Sequence, residues 1–215
     1  MTETNTSKSK RKRAPSQRAL ATKLRVFDAA ETIFAQRGFD GATIRDIAAE
    51  AGEPVGTIHH HGGGKNALFH QTVARRAETL SRERLTALEH VISKGDPTLE
   101  DLISAFIRPF FKLSDEDPRW HHYARLVAFV SADDRWREIS KECFDPVAEV
   151  FMHQIAGLLP QTPRKQVAEA FVFSVSAMLA LLTSQHRIGD LGAGAELENS
   201  QIDHLIRFCA AGFRV

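Results

Sequence analysis

The sequence is poor in cysteine and tyrosine, and it has no long apolar run. Its 215 residues include two cysteines and one tyrosine. Cys143 and Cys209 are too few for a disulfide framework or a cysteine-based zinc site. No uninterrupted stretch of about 18 apolar residues occurs, and the N-terminus lacks the apolar segment of a secretory signal. We therefore expect a cytoplasmic protein without a membrane partner.

The formal net charge of +1 conceals a basic N-terminus. Residues 1–25 hold eight basic side chains and one acid. Residues 1–17 are also too polar to bury a core, which predicts a disordered basic arm. Such an arm either contacts a polyanion or only aids solubility.

The spacing of apolar residues beyond the arm predicts helices throughout. Apolar residues recur at three- and four-residue steps from Leu20 to Phe34, and no stretch alternates long enough to be a strand. Glycines, prolines and candidate capping residues divide the pattern into about nine helices. The sequence therefore predicts an all-α protein, with a small domain over 18–65 and a larger helical domain over 66–215.

Three short predicted helices within residues 19–61, followed by a long fourth, are typical of a helix-turn-helix unit. Ala48 lies where two helices must approach closely, and Gly52 follows where the turn requires a positive φ. Ile58 lies where the third helix packs back on the second. The opposite side of the third helix is then free to enter a DNA groove. That side carries Val55, Thr57, His59 and His60.

Residues 20–70 resemble the N-terminal domain of TetR-family transcriptional regulators. The matching stretches are FDAAETIFAQRGFDGATIRDIAAEAG (27–52) and GTIHHHGGGKNALF (56–69). Further along, PRWHHYARLVAFV (118–130) and FDPVAEVF (144–151) resemble the C-terminal domain of TetR-like regulators linked to fatty-acid or acyl-thioester sensing. The resemblance implies a homodimeric, ligand-responsive repressor whose C-terminal helices form a ligand pocket and a dimer interface.

The resemblance implies DNA contacts position by position. Thr43 matches a position that contacts backbone phosphate, and a hydroxyl beside free N–H groups at a helix N-terminus does favour an anion. The alternative role of Thr43 is an ordinary N-cap, and both roles are compatible. Lys65 matches the lysine that opens the fourth helix and binds phosphate, the alternative being a solvated helix end. With the arm and the third helix included, the predicted DNA-binding residues are Lys10, Arg11, Arg13, Thr43, Arg45, Val55, Gly56, Thr57, His59, His60 and Lys65.

Several positions depart from the family pattern. The family usually has Tyr-x-His-Phe where this chain has His59-His60-His61-Gly62, and Glu53 replaces an apolar residue. A glycine in place of a buried aromatic removes roughly 3–5 kcal/mol of core packing if nothing compensates. These departures predict either weakened DNA binding or local repacking. If packing is lost, Gly62→Phe should raise the melting temperature by several degrees.

Neither a metal site nor an enzyme active site is expected. Neighbouring histidines at 59–61 point about 100° apart on a helix, so they do not converge on one ion. The run Gly62-Gly63-Gly64-Lys65 is followed by Asn66, where a phosphate-binding loop requires serine or threonine. The sequence has no nucleophile motif, and it implies no cofactor.

Aromatic side chains concentrate in residues 98–159. Most are expected to form ordinary core, but a pocket among them would fit a small apolar or amphipathic molecule with one polar or anionic end. The predicted ligand-binding residues are Phe106, Phe110, Trp120, Tyr123, Arg125, Phe144 and Phe151.

Residues 170–182, AFVFSVSAMLALL, are apolar on nearly every side of a helix, yet too short to span a bilayer. Such a helix is either the centre of a monomeric bundle or part of a two-fold four-helix interface with the last helix, and we favour the interface. Glutamate at Met178 or Phe173 is then expected to give monomers. The predicted dimerisation residues are Phe171, Val175, Met178, Leu182, Leu205 and Ile206.

These patterns together predict a dimeric repressor that leaves a near-palindromic operator when it binds a small molecule. Its partners would be double-stranded DNA, an apolar or amphipathic effector and a second copy of the chain. The alternative is a dimeric small-molecule carrier that has lost DNA binding. The departures at positions 53, 59 and 62 leave this alternative open, and the basic arm opposes it.

Overall fold

Eleven α-helices make up most of the chain that a computed structural model describes, residues 17–192 and 199–214. The helices are α1 (Gln17–Gly41), α2 (Ile44–Ala51), α3 (Val55–Gly62), α4 (Lys65–Ser93), α5 (Leu99–Glu116), α6 (Arg119–Ala132), α7 (Arg137–Cys143), α8 (Asp145–Leu158), α9 (Arg164–Thr183), α10 (Gln185–Leu191) and α11 (Asn199–Gly212). A single 3₁₀ turn, Asp134–Trp136, precedes α7. No strand occurs in these two ranges, which confirms the predicted all-α class.

The prediction of about nine helices was wrong because two predicted helices are each divided. Phe144 leaves the helical conformation between α7 and α8 (φ −121°, ψ −40°). Pro146 follows in the first turn of α8, where a missing N–H is tolerated. Ser184 interrupts the other helix between α9 and α10 (φ −128°, ψ 26°). Pro109, in contrast, lies inside α5 and does not end it.

Local signals set the boundaries of the N-terminal helices as expected. Gly38 has φ 67° and breaks α1 near its end, and Gly52 ends α2 with φ 62°. Both values lie in the left-handed region that glycine adopts without steric cost. Thr43 caps α2 in a reciprocal capping box with Asp46. The turn between α2 and α3 is therefore determined by residues inside it.

Helix α4 connects the two halves of the molecule. Its first turns pack against α1 and α3, and its later turns pack against α5 and α8. Over 29 residues it extends from the helix-turn-helix unit deep into the larger bundle. The division of the chain at residue 65 remains a prediction, because α4 belongs to the packing of both parts.

Gly62 does not leave a hole in the core. The glycine is buried, and a Cβ built on it would lie 2.5 Å from Leu68 Cδ1 and 3.1 Å from Leu68 Cβ. Leu68, itself fully buried, already occupies the space that an aromatic side chain at position 62 would need. Of the two sequence-based alternatives, the structure supports local repacking.

We therefore expect Gly62→Phe to lower the melting temperature, the reverse of the expectation from sequence. Overpacking a filled core costs about 1–3 kcal/mol, which corresponds to a loss of roughly 3–10 °C in a chain of this size. Differential scanning calorimetry would measure the change. Gly64→Ser is the matched control, since nothing lies within 4 Å of a Cβ at Gly64. A higher melting temperature for Gly62→Phe would show that the packing around Leu68 is incomplete.

Candidate nucleic-acid interface and internal cavity

Helices α2 and α3 form a helix-turn-helix with one apolar and one exposed side. Ile47 and Ala48 of α2 and Ile58 of α3 are buried against the rest of the unit. On the other side of α3, Val55, Gly56, His59 and His60 are exposed and Thr57 is half-buried. The structure thus brings the α3 candidates together on the surface, where they are free to meet a DNA groove.

The hydroxyl of Thr43 is already engaged as a cap. It accepts a hydrogen bond from the backbone N–H of Asp46 at 3.1 Å and lies 2.6 Å from Asp46 Oδ2, to which it donates. Hydrogen bonding by Thr43 lowers the pKa of Asp46, and Arg37 forms an ion pair with this carboxylate at 2.9 Å. The N–H groups of the first turn, including that of Arg45, are the donors that a helix start leaves for an anion. Arg45 is exposed beside them.

Two of the predicted DNA-binding side chains, Lys65 and His59, contact neighbouring groups of the protein. Lys65 Nζ lies 4.5 Å from the centroid of the Phe39 ring and donates to the Asp40 carbonyl at 3.4 Å. His59 Nδ1 lies 3.2 Å from the Gly63 carbonyl, at the end of its own helix. Lys10, Arg11 and Arg13 lie outside the described residues.

Glu53, which replaces an apolar residue of the family pattern, has an ion-pair partner that is distant in sequence. In the α2–α3 turn, it forms an ion pair with Arg25 of α1. The pair links the turn before the recognition helix to the first helix of the unit. A polar residue at position 53 is therefore accommodated by the surface of α1.

Gly56 gives a direct test of the exposed side of α3. No protein atom lies within 4 Å of a Cβ at this position, so Gly56→Ala should leave stability unchanged or raise it by about 0.5 kcal/mol through helix propensity. We expect the same methyl group to weaken operator binding about tenfold, since it would separate the α3 backbone from the groove. Calorimetry and fluorescence anisotropy would measure the two effects. Unchanged DNA affinity would place Gly56 outside the interface.

A cavity of about 370 Å³ lies between α4, α5, α6, α8 and α9. Its size is within the range of small-molecule sites. The walls are mainly apolar, with aromatic side chains from three elements. The residues that line it are Leu80, Arg84, Phe106, Phe110, Val127, Ser131, Ser140, Phe144, Asp145, Ala148, Glu149, Met152, Ala168, Phe171, Val172, Val175, Ser176 and Met178.

Only three of the seven predicted ligand residues line this cavity: Phe106, Phe110 and Phe144. Trp120 and Tyr123 face the other way, and Tyr123 donates from its hydroxyl to the Val73 carbonyl at 3.2 Å. Burial raises the pKa of Tyr123 well above its ordinary value.

Arg125 is exposed, and Phe151 supports the cavity wall from behind through an edge contact with Phe106 at 5.2 Å. The structure therefore does not place these four residues on the surface of this cavity, because aromatic density along the sequence does not show which side of a helix faces a space.

Sequence reasoning missed Arg84, the only basic residue among those that line the cavity. A lone arginine within a helix is usually solvated, so its residue type did not mark it as a pocket residue. In the structure it is 7% exposed. The one available signal was its position, since Arg84 lies four residues after the core residue Leu80 and four before the core residue Leu88.

A partly buried ion-pair network joins the helix-turn-helix unit to the larger bundle. Glu31 of α1, 1% exposed, accepts from Arg76 Nε at 2.5 Å and from Arg75 Nη2 at 3.1 Å. Arg75 also pairs with Asp28 of α1 at 2.8 Å. The guanidinium of Arg76 lies 4.8 Å from the Trp120 ring centroid, so this aromatic packs against the network.

Most of the predicted dimerisation residues are covered within their own protomer. Phe171, Met178, Leu182, Leu205 and Ile206 are buried within the protomer, and Val175 is half-buried. The apolar side chains left on the surface of α9 and α11 are Val172, Phe173 at 69% exposure and Phe208 at 65%. A helix that is apolar all round carries no signal that distinguishes its inner from its outer side.

Helix α9 also meets the length and composition of a membrane span, and it is the one helix in the described ranges that does. Core helices of soluble proteins meet the same criterion. Here α9 packs against α6, α8 and α11. Within the same ranges, no group of three or more His, Cys, Asp or Glu side chains is arranged to hold a metal ion.

A helix-turn-helix unit on a long connecting helix, with a cavity in the attached bundle, defines a DNA-binding regulator with an effector domain. Two family models match the chain: "Bacterial regulatory proteins, tetR family" over residues 26–72, and "Tetracyclin repressor-like, C-terminal domain" over residues 104–212. Together they cover both halves, and the second alone covers half of the chain. The chain belongs to the TetR family of bacterial transcriptional regulators, a family of regulators rather than enzymes.

Individual relatives support the same assignment. The chain is 34% identical over 83 residues to the transcriptional repressor AcnR of Corynebacterium efficiens. The matched segment spans 37% of this chain and 44% of that protein. It is 36% identical over 64 residues to AcnR of Corynebacterium glutamicum, spanning 28% and 34% of the two chains. The chain thus matches less than half the length of these curated relatives.

Solved structures agree in fold over nearly the whole chain. HlyIIR, a hemolysin II transcriptional regulator, aligns with a TM-score of 0.61 at 18% identity, over 88% of this chain and 97% of that one. FadR, a fatty acid degradation regulator from Bacillus halodurans, aligns with a TM-score of 0.58 at 15% identity, over 94% and 96%. At these identities the likeness concerns the fold.

Proposed function

We propose that this protein is a homodimeric repressor that binds a near-palindromic DNA operator and is released when a small molecule occupies its cavity. The observation that carries the proposal is the intact helix-turn-helix with an exposed recognition side on α3. It opposes the alternative of a carrier without DNA binding, since Leu68 compensates for Gly62 and Arg25 pairs with Glu53. We place the protein in the cytoplasm, where its DNA target is.

The DNA contacts are proposed to come from four places. They are the first turn of α2 with Thr43 and Arg45, the exposed side of α3 with Thr57 at its entry, Lys65 at the start of α4, and the basic arm. Hydroxyl and backbone N–H groups would bind phosphate and position the protein. The α3 side chains that enter the groove would read the bases.

Two copies of the chain would associate through the outer sides of α9 and α11. Each protomer leaves Phe173 and Phe208 largely exposed there, and an isologous pair of helices from each copy would cover them. The two recognition helices would then lie about one DNA turn apart or modestly more, so that the operator is a near-palindrome.

The effector is proposed to bind among α4, α5, α6, α8 and α9. Because α4 both lines this cavity and begins beside α3, a shift of α4 would change the separation of the recognition helices in the dimer. Release requires only that the effector bind the two states with different affinity, and a coupling of about 1–3 kcal/mol is typical.

The decisive experiment is fluorescence anisotropy of the purified protein with DNA flanking its own gene, over a salt series. We expect sequence-preferring binding that weakens steeply as salt rises, because phosphate contacts release counterions. A scrambled duplex of equal length and composition is the control. Equal affinity for both duplexes would contradict the proposal and favour the small-molecule carrier.

A further inference from the structure

Arg84 is a buried cation with little to neutralise it. Its Nε donates to the Phe106 carbonyl at 2.9 Å, and Nη2 lies 3.6 Å from the sulfur of Met178. The centre of its guanidinium lies 3.7 Å from the centroid of the Phe106 ring. Among residues 17–192 and 199–214, no carboxylate forms an ion pair with it.

Burying a charge without a counter-charge is costly, so it requires an explanation. A buried ion is normally paired or bound to several hydrogen-bond partners. Desolvation lowers the pKa of Arg84 to about 9, so the side chain still carries its charge at neutral pH. One carbonyl, one thioether and one aromatic face satisfy only part of a guanidinium that has five N–H donors.

The position of Arg84 supplies that explanation, because the side chain forms part of the cavity wall. Around it the wall is made of Leu80, Phe106, Phe110, Phe171 and Met178, all of them buried and apolar.

The acids of the cavity are Asp145 and Glu149, both exposed on α8, and Glu149 pairs with Arg164 at 2.6 Å. The inner part of the cavity therefore combines apolar walls with one positive charge.

We propose that Arg84 binds the anionic end of the effector, and that the effector is an organic anion, such as a carboxylate, carried on an apolar body. The proposal rests on the proposed function in taking this cavity as the effector site. A carboxylate would accept two parallel hydrogen bonds from the guanidinium, a geometry that arginine provides and a hydroxyl group cannot match.

The proposal also gives a route from ligand to DNA. Arg84 lies on α4, and its hydrogen bond to the Phe106 carbonyl connects α4 to α5. An anion would compete for the same donors and draw the guanidinium into the cavity. Ligand binding would thereby change the contacts of α4, the helix that begins at Lys65.

Isothermal titration calorimetry on the full chain tests the proposal with matched ligand pairs. The pairs are decanoate with 1-decanol, and naphthylacetate with naphthylethanol, each below its aggregation concentration. The wild-type protein should bind the anion of at least one pair about tenfold to hundredfold more tightly than its alcohol, as charge-assisted hydrogen bonds predict. Equal affinity within the pairs, or no binding of either anion, would overturn the proposal.

Arg84→Met and Arg84→Lys separate binding from structure. Arg84→Met should lose the anion preference and keep its affinity for the alcohol within twofold, while Arg84→Lys should keep part of the preference. The melting temperature of ligand-free Arg84→Met should not fall, because the variant removes an uncompensated buried charge. A variant with a lower melting temperature that loses both members of a pair equally would show that Arg84 is a structural residue.

Operator binding by the same samples distinguishes this inference from the proposed function. Specific operator binding without anion binding would reject the role of Arg84 in ligand binding. It would not contradict the proposed repressor function. Arg84-dependent anion binding that never releases DNA would confirm the ligand class and reject ligand-controlled repression.

Discussion

Phe173→Glu is expected to convert the proposed dimer into monomers of 23.9 kDa, the mass of one chain. Phe173 is 69% exposed on α9 and makes no essential contribution to the core of its own protomer. In a two-fold interface the substitution would place two carboxylates in an apolar contact, one from each copy, and buried unpaired charges are strongly unfavourable. Size-exclusion chromatography with light scattering would measure the mass.

Loss of the dimer should also reduce operator affinity by a factor of about 10² or more, because two linked recognition helices bind with a high effective concentration. Leu20→Glu is the matched control for oligomeric state, since Leu20 is an exposed apolar residue on α1, a helix that packs mainly against α2, α3, α4 and α6. A Phe173→Glu protein that remains a dimer would place the interface elsewhere.

Met178→Glu, expected from the sequence to have the same effect, is not a test of the interface. Met178 is 1% exposed and lines the internal cavity. A carboxylate there would disturb the core of the protomer. It would also lie close to Arg84, whose Nη2 is 3.6 Å from the Met178 sulfur. Phe173 and Met178 lie on the same helix, and only the surrounding fold distinguishes their roles.

Glu31→Ala is expected to produce the largest loss of stability of any single substitution considered. Removing one partner from a buried ion pair costs about 3–5 kcal/mol when the remaining charge stays buried. Here Arg76 would keep only a 3.5 Å contact to Asp117. In this chain, Arg76 would lose its 2.5 Å partner and Arg75 one of its two carboxylates. The expected fall in melting temperature is roughly 10 °C, measured by calorimetry.

Asp40→Asn is the control for Glu31→Ala. Asp40 also pairs with an arginine, Arg135, at 3.0 Å, but the pair is on the surface. Hydrogen bonding to Arg135 lowers the pKa of Asp40, yet solvent screens such pairs and their contribution to stability is small. We expect no resolvable change in melting temperature. Similar losses for the two variants would mean that burial does not set the strength of the Glu31 network.

The N-terminal third of the protein was predictable because its signals are local. The φ of Gly52, the capping box of Thr43 and the start of α4 at Lys65 depend on residues within one or two turns. The family motif lies in the same segment, so the class of protein followed from it. In the C-terminal half, Pro146 marks an interruption in the sequence, next to the break at Phe144. No comparable signal marks the break at Ser184, which was missed.

The all-helical class, the helix-turn-helix and the apolar character of α9 follow from the order of residues, because each depends on periodicity or on nearby residues. Which sides of these helices are covered depends on how the helices pack. The packing placed Leu68 in the space beside Gly62, turned Met178 inward and Phe173 outward, and enclosed Arg84 without a carboxylate. The physical reason is that burial and charge compensation depend on side chains that are distant in sequence and meet only when the helices pack.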